Sequence, residues 1–206
     1  DVAEFIRGRF ERLNLVARSE PNIDDWHAML DRVKNPKHEV EIAVAGKYIE
    51  LHDAYKSIYE SLQHGGNHHA CKVKLRKVSA EQIAAEGADD LLKGVDGILV
   101  PGGFGERGFE GKIATIRYAR VNKIPFLGIC YGMQAAVVEY ARTELGITDA
   151  ITSEYDADAP NPVINLMEEQ KAVSDLGGTM RLGAFDCKLK PGTLSHKAYG
   201  TEMVSE

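Results

Sequence analysis

Cysteine is scarce in this 206-residue chain, which carries only Cys71, Cys130 and Cys187. An odd number without metal-ligand spacing argues against a disulfide framework and fits reduced thiols in a cytosolic protein. Long apolar runs are also missing. None reaches the roughly 20 residues of a membrane-spanning helix, and the N-terminal DVAEFIRGRFERL has charges where a signal peptide has its apolar core. The expected location is therefore cytoplasmic, with no membrane partner. Positive charge is in deficit, with 25 Lys and Arg against 31 Asp and Glu and a net charge of −6. Nucleic-acid binding normally shows a basic face, so a small-molecule partner is expected instead. There is no internal repeat. With 44% apolar residues, the chain is long enough for one sizeable core and a smaller appendage.

The first stretch places Val2, Phe5, Ile6, Phe10 and Leu13 at helical spacing, and a second helix is expected from about Ile23 to Val33. Asn22 can cap it, Asp24 and Asp25 suit its first turn, and Asn35-Pro36 ends it. From Val40 the pattern becomes strand-helix alternation. VEIAVAG, CKVKLRKV, GVDGILV and PFLGIC read as strands, and helices are expected near 53–63, 80–93 and 111–121. This alternation predicts an α/β fold, a mostly parallel sheet flanked by helices on both faces, with its site at the strand ends. After about Asp149 the signal weakens. PVINLM, TMRLGAFDCKL and the last ten residues could be short strands or loops, and Gly177-Gly178 marks a flexible connection.

The chemistry gathers around PFLGICYGMQ, where Cys130 sits in a G-x-C-x-G frame between a strand and a helix. That is the arrangement of a nucleophile elbow, in which small neighbours let the backbone turn sharply. The following helix directs its free N–H groups and positive dipole end toward the sulfur, favouring the reactive thiolate. The competing reading is an inert core cysteine, and Cys71 and Cys187, which lack such a context, read that way. Acyl transfer also needs donors for the oxyanion. The elbow supplies the N–H of Tyr131, and the glycine-rich VPGGFGERG at the end of the preceding strand offers that of Gly103. Taken alone, Gly102, Gly103, Gly105 and Gly108 could simply make turns.

The segments VPGGFGERG, KIPFLGICYGMQ, SEY and GGTMRLG, together with GKYIELHDAYKSIYESLQHGG, resemble the class I glutamine amidotransferase domain of the CTP synthase family. The resemblance covers nearly the whole chain. It implies a flavodoxin/Rossmann-like amidotransferase fold over residues 38–206, C-terminally incomplete. Residues 1–37 would be interdomain linker helices at the end of an amidoligase domain. It further implies glutamine hydrolysis to glutamate and ammonia through a cysteine thioester, with Cys130 as nucleophile and Gly103 and Tyr131 as backbone oxyanion donors. Gln134 would contact the bound glutamine, and Glu154 would read its ammonium, which suits a zwitterion in need of an anion. The ammonia would feed ATP-dependent amination of UTP to CTP in a homotetramer. No cofactor and no metal are expected in this domain, whereas ATP and Mg would belong to the synthase domain and GTP would act as allosteric activator.

Two departures stand out against the family pattern. Tyr131 stands where leucine is usual, which a backbone donor tolerates. The family's downstream His-x-Glu is not found, since none of His27, His38, His52, His64, His68, His69 and His196 lies in a His-Pro-Glu-like context; His68 and His69 read as an exposed turn. Loss of that acid-base pair would remove roughly a hundredfold to ten-thousandfold of rate, so the chain alone is expected to be inactive or nearly so. A catalytically silent amidotransferase-fold module serving binding or assembly is therefore the alternative, and another cysteine-elbow α/β enzyme is a third. Lys171 to Gly178 corresponds to a lid loop. No GTP-contacting residue is assigned, and Arg107 and Lys56 read as solvated surface charges.

Overall fold

The computed structural model describes residues 4, 5, 8, 9, 12, 13, 22–103, 105–167 and 184–206. The stretch expected to form the first helix is therefore described only in part: positions 4, 5, 8, 9 and 12 are helical, while Val2, Ile6 and Phe10 lie outside the described residues. The expected lid, Lys171 to Gly178, and the GGTMRLG segment lie outside them as well.

Helix α1 spans Asp24–Lys34, with Asp24 and Asp25 in its first turn. The N-cap position is Ile23 rather than the expected Asn22, whose side chain, one residue outside, accepts a 3.0 Å hydrogen bond from the Asp24 N–H. Strand β1, His38–Gly46, is followed by a 3-10 turn at His52–Tyr55 and helix α2, Lys56–His68. Next come β2, Cys71–Ser79, and α3, Ala80–Glu86, which the Ser79 side chain caps by accepting from the Gln82 N–H. The helix expected over 80–93 is two pieces, because α3 ends at Gly87 and a short α4 follows at Asp89–Leu92. Then follow β3, Gly97–Val100; α5, Phe109–Val121; β4, Phe126–Gly128; and α6, Tyr131–Glu144.

These strands form a four-stranded sheet in the order β2-β1-β3-β4. All its pairings are parallel, from His38 opposite Cys71 on one side of β1 to Val100 opposite Gly128 between β3 and β4. The chain runs outward from β1 to β2, then crosses back to β3 on the other side of β1. Such a reversal leaves a crevice at the carboxyl ends of the strands, where ligands of open α/β sheets bind. β3 is buried along its whole length, GILV, as expected of a strand covered on both faces.

Side-chain alternation divides the core. Ala43, Ala45, Ile98 and Val100 face a cluster built with Ile83, Phe109, Ile116, Tyr131, Ala135 and Val138, so α3, α5 and α6 cover that face. Val44 and Leu99 point the other way, onto Tyr55 and Tyr59 of the 3-10 turn and α2. The α/β reading with a mostly parallel sheet holds. A short parallel pair, β5 at Ile151–Thr152 and β6 at Pro162–Ile164, follows α6.

Residues 1–164 and 165–206 form separate compact units. The second contains an antiparallel pair, β7 at Asp186–Lys188 and β8 at Met203–Ser205, with helix α7 at Leu194–Tyr199 between them. Among the described residues of this stretch, the weak sequence signal covers two short strands and a helix. No helix among the described residues is long and apolar enough to cross a membrane.

One buried charge pair ties α5 to α6. Glu139 is 1% exposed and receives two hydrogen bonds of 2.9 Å from Arg120, through Nε and Nη2, and one of 2.9 Å from the Thr143 hydroxyl. Removing one partner of such a pair strands a buried charge. Arg120→Met is expected to lower the unfolding free energy in urea by about 3 kcal/mol, whereas removing the exposed partner Glu144 should cost less than about 1 kcal/mol. A loss below about 1 kcal/mol in Arg120→Met would show that the pair does not hold the two helices together.

Candidate active site

The turn between β4 and α6 has the strained geometry of a nucleophile elbow. Cys130 adopts φ +55° and ψ −114° immediately before the first residue of α6. A non-glycine residue held at positive φ costs on the order of 1–3 kcal/mol and persists only where surrounding packing fixes it. Here the packing is backbone on backbone. The Ile129 N–H donates to the Val100 carbonyl at 2.9 Å, and the Cys130 carbonyl accepts from the N–H groups of Met133 and Gln134 at 3.0 and 3.1 Å. A Cβ on Gly132 would lie 2.0 Å from the Val100 oxygen, so only glycine permits this approach. Cys130 is exposed at the end of the sheet and at the N-terminus of α6.

The remaining cysteines differ from the expectation of core fillers. Cys187 is exposed in β7, and Cys71 is half-buried at the first position of β2, where the strand begins.

The glycine loop after β3 faces the elbow. A Cβ on Gly102 would lie 3.4 Å from the Cys130 Cβ and 3.8 Å from its Sγ. Gly103 follows at φ +121°, a conformation that strongly favours glycine. Its carbonyl accepts a 3.0 Å hydrogen bond from Lys112 Nζ. Lys112, on α5, is fully buried. Burial, aided by the like charge of Lys47, lowers its ammonium pKa to about 8, with negative charge on Cys130 opposing the shift.

Tyr131 combines two environments. Its N–H belongs to the first turn of α6, where amides point out of the helix end. Its ring is fully buried, 5.3 Å from the Phe109 ring and 4.9 Å from Lys112 Nζ. Burial pushes the phenol up to about 12, with the charge of Glu154 adding to the effect.

Gln134 and Glu154 meet through a residue that the sequence did not single out. The buried Thr152 hydroxyl donates to Gln134 Oε1 at 2.7 Å and accepts from the Glu154 N–H at 3.3 Å. Glu154 itself is exposed, and the neighbouring Tyr155 packs on Phe109 at 5.0 Å. Cys130, Tyr131, Gln134, Thr152 and Glu154 therefore surround the N-terminal end of α6, with Gly102 beside the sulfur and Gly103 next to it in the loop. Lys112 was also missed, although it shares its helix phase with buried Phe109, Ile116 and Ala119. A lysine on an apolar stripe was the available signal.

The histidines do not join this group where they are described. His38 begins β1, while His64, His68 and His69 lie toward the end of α2, at the opposite edge of the sheet from the elbow. His68 and His69 are exposed, His68 as the last residue of α2 and His69 just after it. Arg107 pairs with exposed Glu81 at 3.0 Å and lies over the Tyr48 ring. Among the described residues no group of three or more His, Cys, Asp or Glu could hold a metal ion.

Comparison with known proteins places this geometry in a family. The model of the family "Glutamine amidotransferase class-I" matches residues 50–205. A CTP synthase of Desulfitobacterium hafniense (strain Y51) is 56% identical over 196 residues, 94% of this chain and 37% of that protein. The CTP synthase of Geotalea uraniireducens (strain Rf4) is 55% identical over 197 residues, 95% of this chain and 37% of that protein. The chain thus spans little more than a third of the length of these relatives. Among solved structures, the glutaminase domain of Trypanosoma brucei CTPS with bound acivicin superimposes with a TM-score of 0.70 at 34% identity, covering 81% of this chain and 65% of that one. With the match running through the elbow, the glycine loop and Glu154, the chain belongs to the class-I glutamine amidotransferases.

Proposed function

We propose that this chain is the glutamine-hydrolysing domain of a CTP-forming enzyme, with Cys130 as the nucleophile. The observation that carries this reading is the exposed cysteine held at φ +55° on a helix N-terminus, next to the glycine loop. The thiolate attacks the side-chain amide carbon of glutamine, and the resulting oxyanion is met by the N–H groups of Gly103 and Tyr131. Collapse expels ammonia and leaves a thioester on Sγ, which water cleaves to glutamate and free thiol. Glu154 receives the substrate's ammonium, and Gln134, steadied by Thr152, contacts its backbone end.

The proton that ammonia takes up comes from a general acid outside residues 22–164, the role of the family's His-x-Glu. Residues 1–37 are assigned to the linker and 38–206 to the amidotransferase domain. The ammonia passes to an amidoligase domain, where ATP and Mg serve amination of UTP to CTP in a cytoplasmic homotetramer activated by GTP. No ATP, Mg or GTP contact is assigned to these 206 residues. The second reading is a silent module for binding or assembly, favoured by the position of His38 at the start of β1 and of His64, His68 and His69 at the edge of the sheet away from the elbow.

Acivicin separates the two. Incubation should add one label per chain, at Cys130, while Cys71 and Cys187 stay unmodified, and Cys130→Ala should take up none. A chain that resists labelling, or a Cys130→Ala variant that labels like wild type, would favour the silent module. Thr152→Val should raise the half-saturating acivicin concentration about fivefold, the loss of roughly one hydrogen bond, with the limiting rate unchanged. An unaltered half-saturating concentration would remove Gln134 and Thr152 from the proposed substrate site.

A further inference from the structure

Long cationic side chains normally lay their stems on apolar surface and carry the charge out to water. Lys112 does the reverse, and it is the fully buried cation among the described residues. Its Nζ ends between two groups of the elbow region, the Gly103 carbonyl at 3.0 Å and the Tyr131 ring centroid at 4.9 Å. A glycine at φ +121° has no side chain to hold it in place, so the charge-assisted bond from Lys112 is what fixes its carbonyl direction.

We propose that Lys112 is a positioning residue for the Cys130 reaction, its buried charge pinning the Gly103 carbonyl so that the glycine loop keeps its place beside the elbow. The proposal rests on the reading of Cys130 as the nucleophile. Pinning the Gly103 carbonyl fixes the peptide plane that follows Gly103, and through the dihedrals of Gly103 it restrains the preceding plane, which carries the Gly103 N–H. The charge acts in the same sense, since in a low-dielectric site it strengthens the bond to the Gly103 carbonyl far more than it would in water. Tyr131 supplies the face on which the ammonium rests, giving its side chain a task separate from that of its backbone.

The test compares wild type with Lys112→Met, Lys112→Gln and Lys112→Arg. In Lys112→Met the limiting rate of acivicin labelling should fall about tenfold to a hundredfold, with half-saturation little changed. Iodoacetamide should alkylate Cys130 more slowly in Lys112→Met and Lys112→Gln than in wild type, and Lys112→Arg should recover part of the loss. A folded Lys112→Met with the wild-type rate and alkylation profile would overturn the proposal. If Lys112→Met does not fold, a wild-type profile in Lys112→Gln, which keeps a donor and lacks the charge, would do the same.

Thermal melts report the burial independently. The ammonium is lowered from 10.5 to about 8 in the folded state, so its desolvation penalty is present in full below about pH 8 and fades as pH rises toward 10.5. The titratable groups facing it are Lys47 and Cys130, and the Tyr131 phenol stays neutral across this window. The melting temperature of wild type relative to Lys112→Met should therefore climb between about pH 8 and 10.5. A difference flat across that range would count against the buried ammonium. Wild type that takes no acivicin refutes the role of Cys130 itself, whereas equal labelling of wild type and Lys112→Met refutes only the role of Lys112.

Discussion

The approach of α6 to the end of β3 is the constraint on which the site depends. The Val100 carbonyl receives the Ile129 N–H and occupies the space that a side chain at position 132 would need. Two backbones in that proximity leave the chain between them one route, a sharp turn with Cys130 at positive φ. The same contact sets the first turn of α6 against the loop that leaves β3, so the sulfur, the helix end and Gly102 share one edge of the sheet. The strain at Cys130 is held by the hydrophobic cluster in which Val100, Tyr131, Ala135 and Val138 take part.

The buried polar side chains divide by what they hold. Glu139 meets Arg120 and the Thr143 hydroxyl, and Thr115 bonds the Gly111 carbonyl within α5; these interactions serve helix packing. Lys112 and Thr152 instead reach groups bordering the elbow, the Gly103 carbonyl and the Gln134 amide. A buried polar group is costly unless satisfied, so each of these contacts orients both of its members. The site is therefore built from the inside, with exposed Cys130 and Glu154 presented by neighbours that are not exposed.

The sheet order explains why these elements meet where they do. Because the chain turns back across β1 before forming β3, the loops after β1 and β3 lie beside each other at the carboxyl edge. The glycine loop and the elbow leave adjacent, paired strands, and that adjacency brings residues 102 and 130 into contact across 28 positions of sequence.

Much of this was legible in the sequence. Strand-helix alternation from Val40 gave the parallel sheet, Asn22 and Asn35-Pro36 marked the ends of α1, and the G-x-C-x-G frame located the elbow. These are local signals, set by backbone preference and apolar period, which a linear chain displays. The break at Gly87 is a local signal, a glycine at φ +93° that ends α3, which the continuing apolar period masked, whereas the 3-10 turn ahead of α2 and the exposure of Cys187 depend on what packs against the segment. Lys112 and Thr152 show the boundary most clearly. The sequence determined that a lysine lies on the buried stripe of α5 and that a threonine precedes Ser153-Glu154-Tyr155. Only the tertiary structure decided that the lysine ends on the Gly103 carbonyl and the threonine on Gln134, because a buried polar group takes the partner that folding brings within hydrogen-bonding distance.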